Sequence, residues 1–554
     1  MGEQRASALP ARMGAWIRVP ISAASATAVS GVALGGLSLL LTQPLPSGGP
    51  RAPRVFEYLF FRNEPQAAWL AIAVVLASAA LARWGRVPGS VVSRLAADPR
   101  AFVAGVSLVL AAAALLVYRA HPLSMDEYTP LFQARVFARG RLAGQVPPDL
   151  VPRLIPPFTR WFIEAAPSGA MLSAYWPGFA LLLTPFVWIG CPWLLNPLLG
   201  GATLLLAWRI AGRLWPGTSA AGWAVLLTAA SPAFSVNAIS FYSLTAHLAA
   251  SLCFAALVIE DRLFLAGVIG SLAVVLHNPL PHTLFALPWI AWLAWRPGRL
   301  RNLLVLALGY MPGVIVLAGG WMWFRARVTH PVETQGGVLK GIVVFAHNVF
   351  AAPSLDLLLA RTMNLAELAS WAVPLLLPLA VLGFVRCRAD ARVRLLALSA
   401  LLTLAGYAFV VYDQGHGWGF RYFHAAWGAL PLLAAGGLES VETTPPLRKL
   451  ALAAALFGLV FCTPLRFRQV RTFIDEHLAQ IPSTAGGGRQ TVTFINVGRG
   501  SYTIDLVQND PFLETDRWML ISFGELADRS FMLAFFPGAR RMAEGAFGSV
   551  WKVD

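Results

Sequence analysis

Two carboxylates, Asp126 and Glu127, stand side by side in the stretch HPLSMDEYTPLFQARVFARGRL that begins at His121, just beyond an uncharged apolar run ending at Tyr118. An ionisable pair at the edge of hydrocarbon costs several kcal/mol unless it is hydrated or paired, so acid in this position points to chemistry. The competing reading is the first solvated turn after a helix. The stretch continues with Tyr128, Phe132 and Phe137 interleaved with Arg135, Arg139 and Arg141, the pattern of a basic, partly amphipathic helix at headgroup level. Arg421, in DQGHGWGFRYFH with His416, enters a later apolar run from one end. A guanidinium there must be paired, hydrated or snorkelling, and its fork of donors suits a phosphate oxygen. His282, Arg325 and Lys340 are further candidates for holding such an anion. Glu127 and His277 are the residues available to a divalent metal, although His277 and His282, five apart across two prolines in HNPLPH, do not make a helical metal pair.

The elements that position these groups follow from composition. With 57% hydrophobic and 13% charged residues over 554 positions, the chain carries far more apolar surface than one soluble core needs. Uncharged runs long enough to span a bilayer recur, among them 65–82, 101–118, 263–295 and 302–324, with slightly shorter ones at 368–385, 395–412, 422–438 and 450–465. The net charge of +16 is not gathered in a soluble stripe, which argues against a nucleic-acid partner. The arginines sit in short loops between apolar runs, as the positive-inside rule requires. Arg5, Arg12 and Arg18 place the N-terminus inside, and the clusters at 83–100, 209–213, 296–301, 386–394 and 448–449 are inside again. Parity holds if 165–208 crosses once, with 175–190 as a juxtamembrane or re-entrant helix. The sequence therefore predicts an all-α polytopic membrane protein with about thirteen crossings, an uncleaved N-terminal signal anchor and an external C-terminus.

Three regions are expected: N-terminal membrane helices over 1–100, a membrane region with external loops 119–174 and 325–367 over 101–465, and a small external α/β domain over 466–554. In the last, TVTFINV, YTIDLVQ, RWMLISF and SFMLAFF are strand-like or mixed runs separated by turn residues, and they read as a lid or folding cap without catalytic residues. Cys191, Cys253, Cys387 and Cys462 all lie in or beside apolar runs with no CxxC, which argues against a disulfide framework or a cysteine zinc site. The sequence has no GxxxxGK[ST] phosphate loop and no GxGxxG after a strand-like run, so direct use of ATP or a dinucleotide is not expected.

An apolar span followed by MDEY, a helix of the form LFQARVFARGRL, a proline-rich return with YWPG at Tyr175, an SP pair at Ser231 and Pro232, and a late GFRYFHAAWGALPLL together resemble the GT-C membrane glycosyltransferases. The similarity covers roughly 101–440 and is to their bacterial branch near the protein O-mannosyltransferases and the lipid A aminoarabinose transferases. It implies transfer of a sugar from a polyprenyl-phosphate donor to a lipid, polysaccharide or protein acceptor at the outer face of the bacterial inner membrane. Asp126 matches the family's acidic position and would be the general base; Glu127 would tune it or assist acceptor or metal binding. The segment SPAFSVNAISFY lacks the second acid that many relatives carry, which leaves a divalent metal cofactor open. Two other readings stand beside this one: a transporter or flippase of lipid-linked glycans, and a non-catalytic scaffold for envelope assembly. Spans free of charge to their ends disfavour the transporter, which needs a lined path. On the arginine pattern, reporter fusions after Trp215 are expected to read cytoplasmic and fusions after Gly486 external; a cytoplasmic signal at Gly486 overturns this topology.

Overall fold

The computed structural model describes residues 22–43, 55–85, 89–155, 161–329, 347, 349–352, 354–412, 414–416, 418–440, 444–481, 490–500, 502–545 and 548–553. Its helices, in chain order, begin with α1 (Ala23–Leu41), α2 (Val55–Trp84), α3 (Ser90–Ala97), α4 (Arg100–Leu116) and α5 (Met125–Ala138). Then come α6 (Val151–Leu154), α7 (Gly178–Trp188), α8 (Leu195–Leu214), α9 (Ala220–Ala229), α10 (Pro232–Asn237), α11 (Leu244–Ile259), α12 (Leu263–Val274) and α13 (Leu280–Trp295). The remainder are α14 (Arg299–Pro312), α15 (Gly320–Thr329), α16 (Leu355–Ser370), α17 (Leu376–Cys387), α18 (Ala391–Ala408), α19 (Ala429–Glu439), α20 (Pro445–Phe457), α21 (Thr463–Leu478) and α22 (Glu525–Phe535).

Six helical stretches among the described residues are long and apolar enough to cross a membrane, and a seventh is made if α3 and α4, bent by 95° across Pro99, count as one. Other runs that read as spans are divided into helices of 10–17 residues. The breaks have local causes. Pro232 starts α10 at its first turn and cannot extend α9, since it has no N–H and its ring clashes with the preceding turn. In contrast, π-helical turns over Gly313–Gly319 and Gly458–Cys462 carry α14 into α15 and α20 into α21 as long continuous rods. The stretch expected at 175–190 is the short helix α7, which lies against α5.

Charges that bound the uncharged runs are not all solvated. Glu64, one residue before the run at 65–82, is buried inside α2, which continues through Pro65. Arg466, expected to open the C-terminal domain, is buried in α21 and holds Glu64 with both terminal nitrogens at 2.8 and 2.7 Å. The helix runs on to Leu478, so the boundary read at 466 moves to the first strand of the C-terminal sheet at Thr491.

Small residues let the helices close. Gly383 of α17 and Gly437 of α19 face each other, and a Cβ on Gly383 would lie 1.8 Å from the Leu433 carbonyl oxygen.

Two small sheets lie outside this bundle in the chain. β1 (Gly144–Gln145), β2 (Ile163–Ala165) and β3 (Ala170–Ser173) form an antiparallel sheet in the order β1-β3-β2. In the C-terminal domain β4 (Thr491–Ile495), β5 (Arg517–Ile521), β6 (Arg540–Gly545) and β7 (Gly548–Lys552) are ordered β5-β4-β7-β6, with β4 parallel to β5 and the other pairs antiparallel. TVTFINV and RWMLISF supply β4 and β5, whereas the YTIDLVQ run forms a single 3-10 turn at Thr503–Leu506 and SFMLAFF lies in α22. The domain shares one apolar core with the segment after α4: Tyr128, Phe132 and Val136 of α5 pack with Val492, Phe494, Leu520 and Met532.

Gly383→Ala is expected to cost about 1–3 kcal/mol, because the backbone carbonyl it meets cannot move aside. A lowered thermal transition of the purified variant checks this.

Candidate active site

The site is built on Glu127. This side chain is fully buried, and its oxygens accept hydrogen bonds from the Tyr118 hydroxyl at 2.8 Å, Leu123 N–H at 2.7 Å and Phe241 N–H at 2.8 Å. Trp418 Nε1 donates in turn to Tyr118 at 3.0 Å. One carboxylate thus ties the end of α4, the start of α5, the turn before α11 and the loop before Arg421. Burial lifts Glu127 to about 7, against the pull of the Tyr118, Phe241, Leu123 and Ser124 hydrogen bonds. Both of its oxygens are engaged within the protein, by Tyr118, Leu123 and Phe241.

Adjacent residues on a helix point about 100° apart, so anchoring Glu127 inward sends Asp126 elsewhere. Asp126 accepts from Arg421 NH2 at 2.6 Å and, through its other oxygen, from the Tyr175 hydroxyl. Its side chain is 20% exposed and that of Arg421 11%, which makes Asp126 the more open member of the pair. Burial pushes Asp126 up, but Arg421, His277 and Tyr175 outweigh it and hold the carboxyl at about 2. It is ionised at neutral pH.

Arg421 begins a short 3-10 helix, Arg421–Ala426. Its N–H donates to Gln414 Oε1 at 3.1 Å, and its guanidinium carbon lies 4.9 Å from the Tyr242 ring centroid. Tyr242 in turn bonds Ser124, the residue before α5, at 3.0 Å. The other terminal nitrogen, NH1, is buried and has no hydrogen-bond partner among the described residues. Tyr175 is placed by β3: Gln133 of α5 accepts from Ser173 N–H at 2.9 Å, and Trp321 Nε1 donates to the Tyr175 carbonyl at 3.0 Å. His277 lies with its ring centroid 4.0 Å from that of Tyr175, and burial keeps it down at about 4 despite Asp126.

The remaining candidates fall elsewhere. His282 is buried in α13, where its Nε2 meets the Tyr310 hydroxyl at 2.7 Å and its ring stands edge-on to Phe254, so its partners lie within the bundle. The fork of Arg325 is taken up by Glu164 of β2, and its NH1 donates to the Ala174 carbonyl at 3.0 Å, next to Tyr175. It braces the strand that carries Tyr175. Lys340 lies outside the described residues. No group of three or more His, Cys, Asp or Glu poised for a metal occurs among the described residues.

Two groups were not singled out as site residues from sequence. Tyr175 was visible only as part of the YWPG return. Asp505, the one acid in a run that read as a strand, sits in the 3-10 turn of the C-terminal domain and accepts from Met125 N–H at 2.9 Å. Burial and the nearby Asp126 push Asp505 up to about 7, although the Met125 hydrogen bond lowers it. Nothing local in the sequence marks it, because its meaning depends on docking across 380 residues.

The sign of the pH dependence follows from Glu127. Its folded value lies above its ordinary one, so the stabilisation is present at low pH and is lost as pH rises through about 7. The melting temperature is expected to fall from about pH 5 to about pH 8, and to fall less in Glu127→Gln, with Asp505 carrying the rest. Glu127→Gln is itself expected to cost about 1–3 kcal/mol, since its amide turns a donor toward an N–H. An equal pH slope in the variant would assign the titration elsewhere.

Comparison with solved structures finds the same fold in two crystal structures of ArnT from Cupriavidus metallidurans. One, bound to undecaprenyl phosphate, matches with a TM-score of 0.52 and 13% identity, covering 82% of this chain and 98% of that one. The other, in the apo state, matches with a TM-score of 0.53 and 13% identity, covering 82% and 97%. Neither the comparison with protein-family models nor that with curated proteins gives a match. The chain therefore has an ArnT-like fold, an assembly of apolar helices with a small C-terminal sheet region.

Proposed function

We propose that this protein is a GT-C type glycosyltransferase of the bacterial inner membrane. It takes a sugar from a polyprenyl-phosphate carrier and transfers it, at the outer face, to a lipid, polysaccharide or protein acceptor of the envelope. The observation that carries this reading is the Asp126–Arg421 pair with a guanidinium nitrogen left over: NH2 is paired, and NH1 is buried without a hydrogen-bond partner among the described residues. A buried donor without an acceptor costs about 1–3 kcal/mol, and an incoming phosphate oxygen removes that cost. The undecaprenyl phosphate bound in the ArnT crystal structure is a carrier of the required class. The external placement rests on the arginine distribution.

In this reaction the acceptor oxygen attacks the anomeric carbon in line, its proton passes to the Asp126 carboxylate, and the bond to the phosphate oxygen breaks with the electron pair going to the phosphate. The leaving group is a stable anion, so it needs a cation rather than a proton donor, and Arg421 meets that need. The same pairing that keeps Asp126 ionised also makes it a weak base. When phosphate draws on the Arg421 fork, Asp126 loses part of its counter-charge and its basicity rises. Donor binding and base activation are thereby coupled through one guanidinium.

Mass spectrometry of envelope lipids and glycans from a deletion strain identifies the missing sugar and acceptor together. Complementation with Asp126→Asn is expected to restore about 1% or less of the product, since proton acceptance is worth about 10²-fold or more. Undecaprenyl phosphate binding should survive in that variant, because Arg421 is released, and should weaken in Arg421→Lys, which keeps the charge but loses the fork. Normal product with Asp126→Asn at wild-type protein level overturns the catalytic assignment.

A further inference from the structure

The C-terminal domain places a carboxylate at the start of the helix that carries Asp126. Asp505 Oδ1 accepts from the N–H of Met125, the first residue of α5, at 2.9 Å. The residue before it, Ser124, forms no side-chain cap; its hydroxyl is engaged with Tyr242 instead. The first turn of a helix has N–H groups with no partner within the helix, and here a residue distant in sequence supplies an acceptor. Asp505 Oδ2 faces His416 Nε2 at 3.7 Å, beyond hydrogen-bond range. His416 lies five residues ahead of Arg421 on the same loop, its ring between Phe473 and Tyr502. Asp505 therefore stands against both segments that carry the ion pair: α5 with Asp126, and the loop with Arg421.

The surroundings hold it there. Gln508 Nε2 donates to the Pro122 carbonyl at 2.7 Å, Asn509 N–H donates to the Tyr128 hydroxyl at 2.8 Å, and Tyr128 donates back to the Asn509 carbonyl. Farther out, Arg153 of α6 pairs with the buried Asp528 at 2.7 Å and lies over Phe494, Phe523 and Phe531. A removable lid needs few such ties; this domain is tied to α5 and its lead-in by the polar contacts of Asp505, Gln508 and Asn509, and to α6 by Asp528.

We propose that Asp505 is a positioning residue for sugar transfer: by capping α5 from the C-terminal domain it fixes Asp126 in register with Arg421 and Tyr175, so that the domain is a working part of the site. This rests on the glycosyltransferase reading above. Asp505 acts through Met125 and α5 and touches no reacting atom. Its loss loosens Asp126 while leaving Arg421 held by Gln414 and Tyr242, so turnover falls and carrier binding persists.

The test uses full-length protein in membrane vesicles of the deletion strain, supplied with lipid extract from wild-type cells as donor source, with undecaprenyl phosphate as the binding probe. Asp505→Ala is expected to lower the maximal rate about tenfold, with the KM for donor extract and the affinity for undecaprenyl phosphate near wild type. Asp505→Asn keeps an oxygen for Met125 N–H and is expected to recover most of that rate. Wild-type turnover in Asp505→Ala overturns the proposal. So does equal loss in Ala and Asn variants accompanied by a lowered melting temperature, which makes the residue merely structural. If wild-type vesicles show no transfer and bind no undecaprenyl phosphate, the glycosyltransferase reading itself fails, and the positioning role with it.

Discussion

A carboxylate with no exposed surface has to be paid for with hydrogen bonds, and the way Glu127 meets that requirement organises the whole site. Its two oxygens take donors from Tyr118, Leu123 and Phe241, which belong to three different segments. Apolar contacts are non-directional and tolerate sliding; three convergent donors do not. With Glu127 fixed, the start of α5 is fixed, and the neighbouring Asp126 faces Arg421 and Tyr175. The adjacency of the two acids is thus a division of labour. One is spent on geometry and the other remains ionised and partly open.

The same economy recurs around Arg421. Gln414 accepts from its N–H and donates to the Gly419 carbonyl and to Glu367, which is buried in α16. A few residues along α16, Ser370 and the following Trp371 donate to Glu64 of α2, which Arg466 of α21 grips from the other side. Buried charges of this kind are weak evidence for stability, because desolvation offsets much of the attraction. What they provide is specificity of register: α2, α16 and α21 cannot slide past one another without stranding an ion in an apolar surround. The loop that carries Arg421 is braced by that framework through Gln414 and Glu367.

The segments around the two sheets follow a different rule. The segment from α5 through β3 and the C-terminal sheet share one apolar core, with α5 contributing to it. A helix that carries the acid is thereby sandwiched between membrane helices below and a sheet above. Its basic residues are used up in part by this docking: Arg139 pairs with Glu514, and Arg141 lies over Phe512. The basic face read from sequence as a headgroup contact is, at these two positions, an interface within the chain.

The membrane class and the helical architecture were legible in the sequence, which also singled out Asp126 and Arg421, the two residues that the fold brings into one ion pair. Each is a local property: hydropathy, loop charge, or an ionisable group at the edge of an apolar run. A short helix, Gly178–Trp188, lies within the stretch 175–190 that charge parity singled out. What needed the tertiary structure was every statement about pairing. Arg421 and Asp126 are separated by 295 residues, Arg466 and Glu64 by 402, and Asp505 and Met125 by 380. A charge beside an apolar run looks the same in sequence whether it meets water or a partner on another helix. Glu64 and Arg466 therefore read as ends of spans, and Arg325 and His282 as free to hold an anion, until folding showed which of them were already occupied. The carboxylate that reads as equivalent to its neighbour, Glu127, differs from Asp126 only because a helix turns about 100° per residue and one side of α5 has no water.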